Sequence, residues 1–76
     1  MSIKSLVTFG KNVHRLRKQR NMTQEKLAEY ADISVRYLQR IETGTANPGI
    51  HVVYRIHCAL KCKWEALLQD VYGLTP

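Results

Sequence analysis

The stretch Gln24–Gly44, QEKLAEYADISVRYLQRIETG, decides how this chain folds. Gln24 to Tyr30 has helical spacing with apolar positions at Leu27 and Ala28, and the run Ala31-Asp32-Ile33 breaks the period. Ser34 is then a good N-cap for a second helix ending near Thr43-Gly44. Two short helices joined by a tight turn make a helix-turn-helix unit.

The second of these helices separates its side chains by chemistry. At about 100° per residue, Tyr37, Leu38 and Ile41 fall on one side, while Arg36, Arg40 and Thr43 form a stripe on the other with Gln39 beside it. One side suits a core; the other is a row of hydrogen-bond donors. A helix of about 10–12 Å diameter fits the DNA major groove, about 12 Å wide, where Arg bonds bidentately to guanine and Gln to adenine. The competing reading of such a face is an ordinary solvated surface.

Charge distribution favours the nucleic-acid reading. The chain has 76 residues, 12 Lys and Arg, 6 Asp and Glu, and a net charge of +6. Nine of the basic residues (Lys4, Lys11, Arg15, Arg17, Lys18, Arg20, Lys26, Arg36, Arg40) precede residue 41 against three acids (Glu25, Glu29, Asp32), so the whole excess accompanies the helix-turn-helix. A basic amphipathic segment could also lie on a membrane, but the apolar content of residues 8–20 is only moderate. There is no apolar run near the ~20 residues that span a bilayer and no signal-peptide core, so a cytoplasmic location and no membrane partner are expected. Cys58 and Cys62 are too few and too close for a disulfide framework and are expected to stay reduced.

Outward from the central unit, the spacing predicts five helices, over roughly 8–20, 24–31, 35–43, 49–60 and 64–71, in one all-α domain. The core is expected within 8–71, with 1–7 and 72–76 as tails. In the first helix Phe9, Val13 and Leu16 face inward, with Thr8 as N-cap. Lys11, Arg15, Lys18 and Arg20 lie off that stripe as solvated charges or phosphate contacts. Thr23 caps the second helix, and Gln24 stands in its first turn, where free N–H groups favour a phosphate. Pro48 suits the first turn of the fourth helix, whose inward face is Ile50, Val53, Ile56, His57 and Leu60. Trp64, Leu67, Leu68 and Val71 carry the last helix, with Gly73 and Pro76 marking its end.

Taken in order, Arg17, Thr23-Gln24, Leu27-Ala28, Ile33-Ser34, Leu38, Ile41-Glu42, Gly44, Pro48, Leu60 and Leu67 resemble the lambda-repressor-like, Cro/XRE-type helix-turn-helix domain of phage repressors and bacterial regulators. The resemblance covers roughly residues 8–70. It implies that the third helix reads the major groove, with Val35, Arg36, Gln39 and Arg40 at base edges. It implies phosphate contacts by Thr23, Gln24, Ser34, Thr43 and backbone N–H groups near Asn47, and an ion pair between Arg17 and Glu42. Four positions depart from the family pattern. Asp32 stands where Gly is frequent in the turn, His57 replaces a small residue, Lys61 and Lys63 replace a Gly and a cap, and Val35 offers an apolar contact that suits a thymine methyl.

The function implied is a sequence-specific regulator of double-stranded DNA, binding a palindromic operator as a homodimer. A phage-type repressor, a restriction–modification controller and an antitoxin-like autoregulator all fit. The alternative keeps the fold but uses the apolar C-terminal cluster to bind another polypeptide. Trp64, Leu68, Val71, Tyr72 and His57 are the candidate subunit contacts. His51, His57, Cys58 and Cys62 invite a metal reading, but their spacing contains neither a C-x2-C nor an H-x3-H pair. No cofactor, small-molecule ligand or enzymatic activity is expected.

Overall fold

The computed structural model describes residues 1–71. Among them all regular structure is helical: α1 spans Ile3–Gln19, α2 Gln24–Ala31, α3 Val35–Glu42, α4 Ile50–Leu60 and α5 Trp64–Leu67. Local chemistry sets most of these boundaries. Thr23 Oγ1 accepts the Lys26 N–H at 3.0 Å and Ser34 Oγ accepts the Tyr37 N–H at 3.0 Å, so each helix of the central unit has a side-chain cap. Asp32 closes α2 in the left-handed region at φ 56°, which a short polar side chain tolerates. Lys61 closes α4 in the same way at φ 50°, without that help.

The start of α1 corrects the sequence reading. The helix begins at Ile3, capped by Ser2 Oγ accepting the Ser5 N–H at 3.1 Å. Thr8 is no cap: it lies inside the helix and its hydroxyl donates to the Lys4 carbonyl at 3.1 Å. Residues 3–7 therefore belong to the fold, with Ser5 buried and its hydroxyl donating to the carbonyl of Val71. No local pattern announces this, because Ile3 is exposed, Val7 lies against Gly44, and the holding contact of Ser5 comes from the other end of the chain.

The last helix is also corrected, from an expected 64–71 to four residues. Asn12 Nδ2 donates to the carbonyls of Leu67 at 2.9 Å and Gln69 at 2.8 Å, which ties the turn after α5 to α1. Asp70 then takes φ 60°, and the turn folds Val71 into the core. Pro48 likewise sits before the Gly49 cap and not within α4. Tyr72, Gly73, Leu74 and Pro76 lie outside the described residues.

Phe9, Val13, Leu16, Leu27, Leu38, Ile41, Ile56, Leu60 and Leu67 make one core, with α1 packed on α3 and α5, and α2 on α3 and α4. Where α1 crosses the end of α3 the two backbones touch. A Cβ on Gly10 would stand 2.7 Å from the Glu42 carbonyl oxygen and closer still to that of Ile41. This crossing anchors the inner side of α3 and turns its opposite side outward.

Candidate nucleic-acid interface

Leu38 and Ile41 bury the inner side of α3, and Arg36, Gln39, Arg40 and Thr43 all stand exposed on the other. The stripe seen in the sequence is thus a surface in the structure. Its members differ in how far they are already engaged. Arg40 reaches along the helix end and donates from Nη2 to the Thr45 carbonyl at 3.1 Å. Thr43 Oγ1 donates to the carbonyls of Gln39 at 3.0 Å and Arg40 at 3.2 Å. Val35 is half-buried and packs against the core, so only part of its side chain faces outward.

The residues assigned to phosphate fall around this helix. Thr23 and Ser34 are exposed, and each hydroxyl accepts a capping bond while keeping its own proton to donate. Asn47 is exposed, but the preceding N–H groups of Thr45 and Ala46 are already bound to the Arg40 carbonyl at 2.9 and 3.2 Å. Those two donors are therefore spent on closing α3.

Behind α3 lies a polar cluster built on Glu42. Arg17 Nε stands 2.7 Å from Oε2 and Arg17 Nη2 3.1 Å from Oε1, and the side chains of Arg17 and Glu42 are only 8% and 5% exposed. Arg17 Nη1 also donates to the Met22 carbonyl at 2.9 Å, tying the α1–α2 turn to the end of α3. Two further residues join that sequence reasoning did not place here. His14 Nδ1 is 3.1 Å from Oε1, and Gln24 Nε2 donates to Oε1 at 3.2 Å. Burial raises the pKa of Glu42, but hydrogen bonds from Arg17, His14 and Gln24 and the Arg17 charge outweigh it, and the net shift is downward. Gln24 in turn accepts from Gln39 Nε2 at 3.3 Å, so a residue assigned to phosphate is half-buried and bound at both ends.

Most of the basic N-terminal half is not one undivided surface. Arg15 donates to Asn12 Oδ1 at 2.9 Å and to the Ala66 carbonyl at 3.2 Å, and Arg20 to the Lys61 carbonyl at 3.2 Å. These two arginines hold α1 against the C-terminal segment. Lys11 and Lys18 are exposed.

A helix-turn-helix family profile matches residues 13–67. The chain belongs to the helix-turn-helix family. This helix-turn-helix protein is 34% identical over 64 residues to the immunity repressor protein of Bacillus phage phi105, a match covering 84% of this chain and 44% of the repressor. The chain thus spans less than half the length of that relative. It is 35% identical over 60 residues to an uncharacterized HTH-type transcriptional regulator, y4dJ, of Sinorhizobium fredii, covering 79% of this chain and 75% of the regulator. Among solved structures it is similar to the restriction-modification controller protein C.AhdI from Aeromonas hydrophila, with a TM-score of 0.78 and 27% identity over 82% of this chain and 94% of the controller.

Away from the helix-turn-helix, the C-terminal candidates divide. The His57 ring stacks on Trp64 with centroids 3.7 Å apart and planes within 3°. Trp64 and the half-buried Leu68 share a shallow groove with Met1, Pro48, Ile50 and Val53. Ile50, which the spacing put on the inner face of α4, is 73% exposed at the mouth of this groove, because the helix starts there and its first turn overhangs the core. Val71 is buried among the chain's own residues at 2% exposure. Tyr72 lies outside the described residues. His51 and Cys58 are exposed, while burial pushes the half-buried Cys62 thiol up in pKa despite nearby Arg20. Among the described residues no three His, Cys, Asp or Glu side chains gather as a ligand set, and no helix is long and apolar enough to cross a membrane.

Proposed function

We propose that this helix-turn-helix protein, a DNA-binding transcriptional regulator, lays α3 in the major groove and reads a palindromic operator as a homodimer. One observation carries the reading: α3 turns Arg36, Gln39 and Arg40 outward while Leu38 and Ile41 anchor its other side in the core. Arg36 and Arg40 serve as base-edge readers with Gln39, Val35 adds an apolar contact, and Thr23, Ser34, Thr43 and Asn47 set the register on phosphates. The relatives support regulation by their names, a phage repressor, a transcriptional regulator and a restriction–modification controller, and none is named as an enzyme.

Dimerisation is supported by the apolar surface of Ile50, Trp64 and Leu68, with His57 beneath the Trp64 ring. The same surface supports a second reading, in which it docks a different polypeptide. A binding selection from random duplex DNA at two salt concentrations tests the main reading. An enriched palindrome with steeply salt-dependent affinity is the expected result, and salt-dependent binding with no enriched sequence overturns it.

A further inference from the structure

We propose that the cleft where the C-terminal ends of α1 and α4 meet α2 binds a small carboxylate that carries an apolar body. The cleft has a volume of about 600 Å³, within the range of about 300–1,000 Å³ in which small-molecule sites fall. Leu60 and the half-buried Met22 and Ala59 give it apolar surface, and the exposed Tyr30 ring adds an aromatic side. Arg20 and Lys61 supply two positive charges, and among the described residues no acidic side chain lines it. None of the lining residues belongs to α3, so the site is separate from the proposed reading face.

Two features distinguish this cleft from an ordinary gap between helix ends. Lys61 takes φ 50°, a left-handed conformation that only glycine adopts without penalty. The other described non-glycine residues in that region are Asn21, Asp32 and Asp70, whose short polar side chains tolerate it. Lys61 lacks that help and brings a cation to the cleft. Arg20 donates from Nη2 to the Lys61 carbonyl at 3.2 Å, which fixes one edge of the guanidinium on the turn. That bond serves the end of α4, as a cation at a helix C-terminus does. The other N–H groups of Arg20 and the Lys61 ammonium remain for an acceptor, and a carboxylate matches the guanidinium fork. Met22, Leu60 and Tyr30 then receive the apolar body. These residues come from three separate stretches of chain, so no local pattern in the sequence announces the site.

The test is a titration of the intact chain, followed by amide nitrogen–proton correlation spectra. The probes are 4-phenylbutyrate, 4-phenyl-1-butanol and 4-phenylbutylamine, which share a body and differ in charge. The acid is expected to give saturable shifts centred on Met22, Tyr30, Leu60 and Lys61, with a dissociation constant of roughly 1 mM or tighter. The alcohol, which leaves both cations idle, is expected to bind about 4- to 25-fold more weakly, and the amine more weakly still. Lys61→Gly is expected to raise the melting midpoint by about 2–8 °C, because glycine takes the left-handed turn freely, and yet to weaken the acid by about 2- to 5-fold. Arg20→Gln is expected to weaken the acid by the same factor, and neither substitution to change the alcohol. A variant that gains stability while it loses the ligand is not explained by damage to the fold.

Four results overturn the inference. If no shift saturates below about 10 mM acid, the cleft is not a binding site. If the amine binds as tightly as the acid, the two cations do not select the ligand. If the shifts centre on Ile50, Trp64 and Leu68, the occupied site is the other groove. If Lys61→Gly and Arg20→Gln both bind the acid as the unsubstituted chain does, this pair does not hold the carboxylate. No readout involves DNA, so the result is independent of how α3 is used.

Discussion

Replacing Arg17 by Met tests the cluster on which α3 rests. The substitution keeps an unbranched apolar stem but removes both guanidinium bonds to Glu42 and the bond to the Met22 carbonyl. Because the Glu42 side chain is 5% exposed, its carboxylate would be left with only His14 and Gln24 as donors. Removing one partner of a buried pair costs about 3–5 kcal/mol, whereas an exposed pair is worth about 0–1 kcal/mol. For a 76-residue domain the total stability is roughly 4–11 kcal/mol, so the variant should lose about a quarter of it or more. At about 4–8 °C per kcal/mol, the midpoint falls by roughly 12–40 °C.

The assay is reversible urea and thermal unfolding followed by circular dichroism, first at neutral pH and then in acid. The folded-state pKa of Glu42 is depressed, so its contribution is present above the unfolded value of about 4.3 and disappears as pH falls through the lower folded value. In Arg17→Met the main source of that depression is gone and burial raises the Glu42 pKa. Protonation then relieves the variant while it weakens the parent, and the gap between them narrows below about pH 4. A loss under about 1 kcal/mol at neutral pH, or a gap that does not change with pH, would refute the claim that this is a buried, structure-bearing pair.

Gly10→Ala should destabilise by at least about 1–3 kcal/mol, because its methyl group meets backbone carbonyls that have no room to yield; an unchanged melting midpoint would show that α1 and α3 do not cross as described. Arg36→Ala is expected to cost about 1–3 kcal/mol in specific binding and to relax preference at one base, while non-specific binding changes little. Competition anisotropy with specific and random duplexes measures that ratio, and an unchanged ratio removes Arg36 from the reading face. Ile50→Glu puts a charge on the exposed apolar surface and should shift sedimentation equilibrium towards monomer and remove the concentration dependence of the melting midpoint. If the unsubstituted chain is already monomeric at roughly 100 μM, that surface is not a self-association site.

Much of the helix-turn-helix was legible because its signals are local. Thr23 and Ser34 cap where the sequence placed caps, and Asp32 takes the left-handed turn expected of it. The 3.6-residue period put Leu38 and Ile41 inside and Arg36, Gln39 and Arg40 outside. The ends of the domain were not legible in the same way. Residues 3–7 are helical and Val71 joins the core for one shared reason: Ser5 and Val71 meet across 66 positions of sequence. Ile50 satisfied the inward period of α4 and is nevertheless exposed, since periodicity gives the phase of a helix and not how far the core extends along it.

By itself the sequence determined the number of helices, the phase of each, and the face of α3 that carries donors. These depend on backbone geometry and on side chains within a few residues of one another. Only the tertiary structure decided which polar side chains are already used. Arg15 and Arg20 went to carbonyls of the C-terminal half, and Gln24 to Glu42 and Gln39, although all three look like phosphate ligands in one dimension. A hydrogen-bonding group is available to a ligand only if no nearer partner satisfies it, and the partners here come from 15 to 51 positions away.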